Sequence, residues 1–264
     1  MKFAVLASGS SGNSVYLEIA GKHFLVDAGV SNRAICKQLE SIGVDNKQLD
    51  SVFITHEHID HIRGIDVLAR SHPKVKVYAN KATWRAGNKF LHRVINEQRQ
   101  FTTTHSQFTL DDVTITPFAI SHDAVDPVGY KFEAEGKSIV VATDLGIVSQ
   151  GVHDHLLGTD AIVIESNHDP EMLQKGPYPY FLKQRIAGKR GHLANNITAE
   201  LLKRVIARQT QAIVLAHLSD KNNTPEIALK VNERILCDAG LRPNKDFVLK
   251  VANRNVATPM ITIC

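Results

Sequence analysis

Apolar residues recur along this chain in short runs rather than long ones. Residues 3–7, 15–19 and 24–26 are apolar or alternating, and glycine-containing turns separate them, which predicts paired strands. Ser31 then caps a predicted helix to about Ile42, with Gly43 as its stop signal. Residues 51–55 predict a buried strand, 62–70 a helix and 75–78 another strand. Residues 113–120, 130–134 and 138–142 read as paired strands, punctuated by Pro127-Val128-Gly129 and Glu135-Gly136. Residues 161–165 and 212–216 are further apolar strands. Thr198 is the expected cap of a helix over 199–207, and Thr224 of a longer one, with Pro225 first and Glu226 next. Strand clusters in both halves, with helices between and after them, predict two sheets packed face to face with helices outside, a layered α/β arrangement. No repeat or Pro/Gly/Ser-rich linker interrupts the pattern, so residues 1–264 are expected to form a single domain.

Composition narrows the setting. With 264 residues, 43% hydrophobic and 22% charged, the chain can bury a full core and is not a disordered type. No apolar run approaches the ~20 residues of a membrane span. The basic-then-apolar start is broken by Gly9-Ser10-Ser11-Gly12 before a signal-peptide core forms, so a cytoplasmic protein is expected. Cys36, Cys237 and Cys264 are odd in number and form no CxxC pair, which fits a reducing compartment and argues against a thiolate metal site. A net charge of +4 permits a polyanionic partner without requiring one.

The chemistry concentrates in His56-Glu57-His58-Ile59-Asp60-His61, directly after a predicted strand. In extended chain, side chains two apart share a face, so His56 and His58 can converge on one ion. Asp60 and His61 diverge where the chain turns into a helix, which suits a second ion beside the first. Further candidates stand at later strand ends: His122 in Ile120-Ser121-His122-Asp123, Asp144 in Ala142-Thr143-Asp144, and His217 in Leu215-Ala216-His217.

Thr55-His56-Glu57-His58-Ile59-Asp60-His61 resembles the signature of the metallo-β-lactamase fold superfamily. Gly9-Ser10-Ser11-Gly12-Asn13-Ser14 and Phe24-Leu25-Val26-Asp27-Ala28-Gly29 resemble its first strands. The resemblance implies a four-layer αββα sandwich of two mixed β-sheets, with two divalent metal ions, Zn or Mn, at the sheet edge. It implies that His56, His58, His122 and Asp144 hold one ion, and Asp60, His61, Asp144 and His217 the other. With no cysteine at a ligand position, and with aspartates at 60 and 144, the set resembles the phosphodiesterase branches. Two ions ~3.5–4 Å apart can share a water and stabilise both oxygens of an in-line phosphoryl displacement. The expected nucleophile is a metal-bridged hydroxide that Asp60 orients or deprotonates.

The segment from Glu165-Ser166-Asn167-His168-Asp169 through Gly188-Lys189-Arg190-Gly191-His192-Leu193-Ala194-Asn195-Asn196 resembles the YycJ/WalJ group. It departs at Ala194, where that group has serine. The group implies 5′→3′ exonuclease action on DNA, and the alternative is a small-molecule (cyclic) phosphate phosphodiesterase of the same superfamily. His192, ahead of a helix N-terminus, is expected to be a general acid for the leaving oxygen or a phosphate donor. Lys189, Arg190 and Asn195 are the candidate phosphate contacts, with Lys183 and Arg185 beside them. Tyr178, Tyr180 and Phe181 could stack bases, although core or lid packing is the expected role. Asp27, Asn13 and His168 are expected behind the ligands, and oligomeric state is left open.

Overall fold

The structure, a computed structural model, describes residues 1–264. The first sheet contains β1 (Lys2–Ala7), β2 (Ser14–Ile19), β3 (Lys22–Val26), β4 (Ser51–Phe53), β5 (Lys76–Asn80) and β6 (Arg99–Thr102) side by side. The second contains β7 (Phe108–Leu110), β8 (Val113–Ala119), β9 (Val128–Ala134), β10 (Lys137–Ala142), β11 (Ala161–Glu165), β12 (Ala212–Ala216) and β13 (Val248–Val251). The last strand, β14 (Ile261–Thr262), returns to pair antiparallel with β1. Each sheet is mixed. β1–β3 are antiparallel and β3–β6 parallel, while β7–β10 are antiparallel and β10–β13 parallel.

Alternation along the strands explains the layers. Phe3 and Val5 face the other sheet, whereas Ala4 and Leu6 face the helices Asn32–Ser41 and Ile65–Ser71. On β11, Ala161 and Val163 enter the core between the sheets, and Ile162 and Ile164 meet the outer helices Asn195–Val205 and Pro225–Asp238. Strands buried on both faces need apolar residues at every position, which is why the central strands read as unbroken apolar runs. The result is the αββα sandwich expected from the resemblance.

Several expected boundaries shift. The stretch expected as a helix over 62–70 splits into a turn of helix at Ile59–Ile62 and a helix at Ile65–Ser71. Thr198 is no cap: the helix begins at Asn195, and the buried Thr198 hydroxyl donates to the Glu165 carbonyl. A hydroxyl with a tertiary acceptor available has no need of a helix end. No helix is long and apolar enough to cross a membrane.

Phe53 stands at the centre of the shared core, with rings of Phe24, Tyr78, Tyr130 and Phe132 at centroid distances of 5.5, 4.8, 5.5 and 5.2 Å. Replacing Phe53 with Ala is expected to cost about 3–5 kcal/mol of stability, read from urea unfolding midpoints. A loss below about 1 kcal/mol would show that the sheets repack around the gap.

Candidate metal centre and active site

Parallel strands deliver their carboxyl ends to one edge. β8, β10, β11 and β12 run in the same direction, so Ser121-His122, Thr143-Asp144, Glu165 and His217 all emerge there. β3 and β4 do the same for Asp27 and for the loop Ile54–His58. Backbone conformation then turns key residues inward. Asp27, Asp144 and His217 have φ of 62°, 62° and 54°. Non-glycine residues in this left-handed region cost about 1–3 kcal/mol each and persist only where surrounding contacts impose them. Close approach also requires glycine, most tightly at position 29. A Cβ on Gly29 would lie 1.6 Å from the Asp60 carbonyl oxygen, whose acceptor holds the Asn13 N–H at 2.8 Å.

The seven residues expected to act as ligands are brought together. His56, His58 and His122 form one group of mutually close ligand atoms, Asp60, His61 and His217 a second, and His56, His61 and Asp144 a third between them. Asp144 is central: Oδ2 lies 3.0 Å from His61 Nε2, and Oδ1 lies 3.4 Å from His217 Nε2 and 3.6 Å from His122 Nε2. Despite the 3.0 Å approach of His61, Asp144 Oδ2 accepts no aligned hydrogen bond. His56 Nε2 and His217 Nε2 are likewise buried without a partner. Orphaned polar atoms are costly, and several of them aimed at one space fit a cation that accepts their lone pairs. Burial lowers the His56 pKa well below its ordinary value, so the ring is a neutral donor. Burial opposes ionisation of Asp144, but His217, His61 and His56 around it hold its pKa well below the usual carboxylate range.

The opposite ring nitrogens are tethered. Asp27 Oδ2 accepts from His61 Nδ1 at 2.7 Å and from the Thr55 hydroxyl at 2.8 Å, and Oδ1 accepts the Thr55 N–H at 2.8 Å. Asn13 contacts Asp60 and lies 3.1 Å from His61 Nε2. Asp27 thus lies behind the candidate ligand His61, whereas Asn13 lies on the Nε2 side of the ring, the side that faces Asp144. His168 does not stand behind the ligands: its side chain is buried, hydrogen-bonds to none of them, and Nδ1 has no partner.

Glu165 is the functional residue that sequence reading missed. It was visible only as the polar end of an apolar strand, and nothing local marks it. Fully buried, its Oε1 accepts from His192 Nδ1 at 2.7 Å and His217 Nδ1 at 2.8 Å. Its Oε2 accepts the N–H groups of Leu145 and Leu193, both at 2.9 Å. Burial would raise its pKa, but these histidines hold it down at about 2. In return, Glu165 lifts the pKa of His192 above its ordinary value against the opposing effect of burial.

The phosphate contacts need correction. Asn195 has no exposed surface, and its amide is engaged with Ser166 and Asn223, so it grips no phosphate. Arg190 donates to the carbonyls of His122 and Ala124, and Arg185 pairs with Asp123. Lys183 Nζ donates to the Gln174 carbonyl, whereas Lys189 is exposed and its ammonium makes no hydrogen bond or ion pair. The guanidinium groups are therefore spent on shaping loops. Tyr180 and Phe181 are 75% and 72% exposed on the helix Tyr180–Ile186, which buries no residue, so they are not core. A cleft of about 250 Å³ contains Asp60, Asp144, His192 and His217, with Ser10 and Arg185 at its walls.

A family model described as a Beta-lactamase superfamily domain matches residues 22–217. The chain belongs to that superfamily. It is 41% identical over 264 residues to Exodeoxyribonuclease WalJ of Streptococcus pneumoniae, covering 99% of this chain and 98% of that one. It is also 36% identical over 247 residues to Exodeoxyribonuclease YycJ of Bacillus anthracis, covering 94% and 93% respectively. Among solved structures, the metallo-β-lactamase fold protein YhfI of Bacillus subtilis superposes with a TM-score of 0.71 at 15% identity, over 97% of this chain and 98% of that chain.

Asp27→Asn is expected to weaken divalent-metal affinity about 10–100-fold, because it removes the anionic acceptor that orients His61. Titration against a competing chelator reads this directly, and wild-type affinity in the variant would refute the orienting role.

Proposed function

We propose that this chain is a metal-dependent phosphodiesterase that removes nucleotides from DNA in the 5′→3′ direction. The carrying observation is the set of buried, unpartnered donors at His56 Nε2, His217 Nε2 and Asp144 Oδ2, converging where strand ends from both sheets meet. The residues fit two divalent ions, Zn or Mn: His56, His58, His122 and Asp144 for one, Asp60, His61, Asp144 and His217 for the other. When bound, such ions supply Lewis acidity to the phosphoryl oxygens and to water. DNA as the substrate is supported by the near full-length likeness to two exodeoxyribonucleases. A cytoplasmic location and a single domain over residues 1–264 belong to the same reading.

The protein's own groups divide the proton work. Asp60, a carboxylate lining the cleft, orients water and accepts its proton. His192 is held by Glu165 through Nδ1, which leaves Nε2 to deliver a proton to the leaving oxygen. Glu165, by raising the His192 pKa above its ordinary value, favours the protonated ring that a general acid needs.

The small-ester alternative has one observation in its favour: Arg185 and Arg190, expected to hold a polymer backbone, are already engaged. Purified protein with Mn²⁺ is expected to degrade end-labelled duplex DNA to mononucleotides. Cleavage of bis-nitrophenyl phosphate alone, with duplex intact at low salt, would sink the DNA reading. His192→Ala is expected to lower kcat about 10²–10⁴-fold while metal content stays stoichiometric, the signature of a lost general acid. A His192→Ala enzyme with wild-type kcat would remove that role.

A further inference from the structure

A second cavity, of about 740 Å³, lies on the far side of His192 from the metal cleft. This is within the ~300–1,000 Å³ typical of small-molecule sites. His192 alone lines both spaces. The helix Tyr180–Ile186 partitions them: Leu182, Arg185 and Ile186 face the cleft, while Tyr180, Lys183 and Gln184 face the cavity.

The cavity combines two kinds of surface. Ile147, Val148, Leu173 and Leu193 make an apolar wall. Opposing chemistry comes from the N-terminus of the 11-residue helix Asn195–Val205, whose N-cap, Ala194, has no side chain to cap it. The N–H groups of Asn196 and Ile197 consequently have no acceptor, and both residues line the cavity. Free N–H groups in a first turn favour an anion. Independently, His168 lines the same cavity with 3% of its surface exposed, and its Nδ1 is buried without a partner. The exposed ring of Tyr180 stands at the wall, where a base can stack.

We propose that this cavity holds the terminal nucleotide being removed, with its 3′ oxygen at His192, its base and sugar against the apolar wall, and its 5′-phosphate on the N–H groups of Asn196 and Ile197. Which bond is cut rests on the exonuclease reading above. Water oxygen bonds to phosphorus as the P–O3′ bond breaks. The electron pair leaves with O3′, which takes the proton of His192 Nε2, while the proton of water passes to Asp60. The products are a nucleotide with a free 3′-hydroxyl and a strand shortened by one residue, ending in a 5′-phosphate. Each cut thus creates the group that the helix N-terminus recognises in the next round. His168 donates to or accepts from the nucleotide as a neutral ring, since burial pushes its pKa down to about 4.

The test uses the metal-loaded full-length protein and a deoxynucleoside 5′-monophosphate, with the unphosphorylated deoxynucleoside as comparison. Calorimetry is expected to show binding of the monophosphate, about tenfold weaker binding without the phosphate, and about tenfold weaker binding of the monophosphate in both Ile197→Trp and His168→Ala. Ile197 is half-exposed, so the tryptophan variant does not disturb the core. The same preparations are assayed on duplex DNA with 5′-phosphate or 5′-hydroxyl ends, and the ratio of the two rates is expected to fall in both variants. No binding, or equal affinity in wild type and both variants, overturns the proposal. Intact DNA combined with variant-sensitive monophosphate binding instead removes the DNA reading and leaves a nucleotide site.

Discussion

Two buried carboxylates, one from each sheet, fix the positions of the histidines that define this site. Asp27 follows β3 and orients His61. Glu165 ends β11 and orients His192 and His217. Carboxylates in a core are costly unless every lone pair is engaged. Glu165 meets that condition with two imidazoles and two backbone N–H groups, and Asp27 with one imidazole and both polar groups of Thr55. Held in this way, His61 and His217 turn their other nitrogens toward Asp144. His61 and His217 are therefore positioned by protein contacts alone, and the strained backbone at Asp27, Asp144 and His217 belongs to the same arrangement.

The same tethering separates structural from reactive cations. Arginines placed by the sequence beside the cleft hold carbonyls and an aspartate, which sets the loops around His122. Two uncharged groups remain for an incoming phosphate beyond His192: an uncapped helix end and a buried imidazole. A basic net charge thus says little about which atoms touch the substrate.

The central strands and most of the site were legible in the sequence. The strands at 161–165 and 212–216 have the bounds their apolar runs predict, since strands buried on both faces have to be apolar throughout. The edge strands β6, β7, β13 and β14 were not, because a short strand with one exposed flank carries little pattern. The helix at Asn195 starts four residues before the sequence suggests, because Thr198 looks like a cap when its partner on β11 is unknown.

By itself, the sequence determined the ligand types and their places at strand ends. A histidine or aspartate following an apolar run is a local feature, and spacing by two puts His56 and His58 on one face. Only the tertiary structure decided the role of Glu165, the engagement of Arg185, Arg190 and Asn195, and the cavity beyond His192. Those outcomes depend on which hydrogen-bond partner lies nearest, and the partners are 20–68 residues away in the chain. A polar residue advertises the bonds it can make, but the fold chooses the group that receives them.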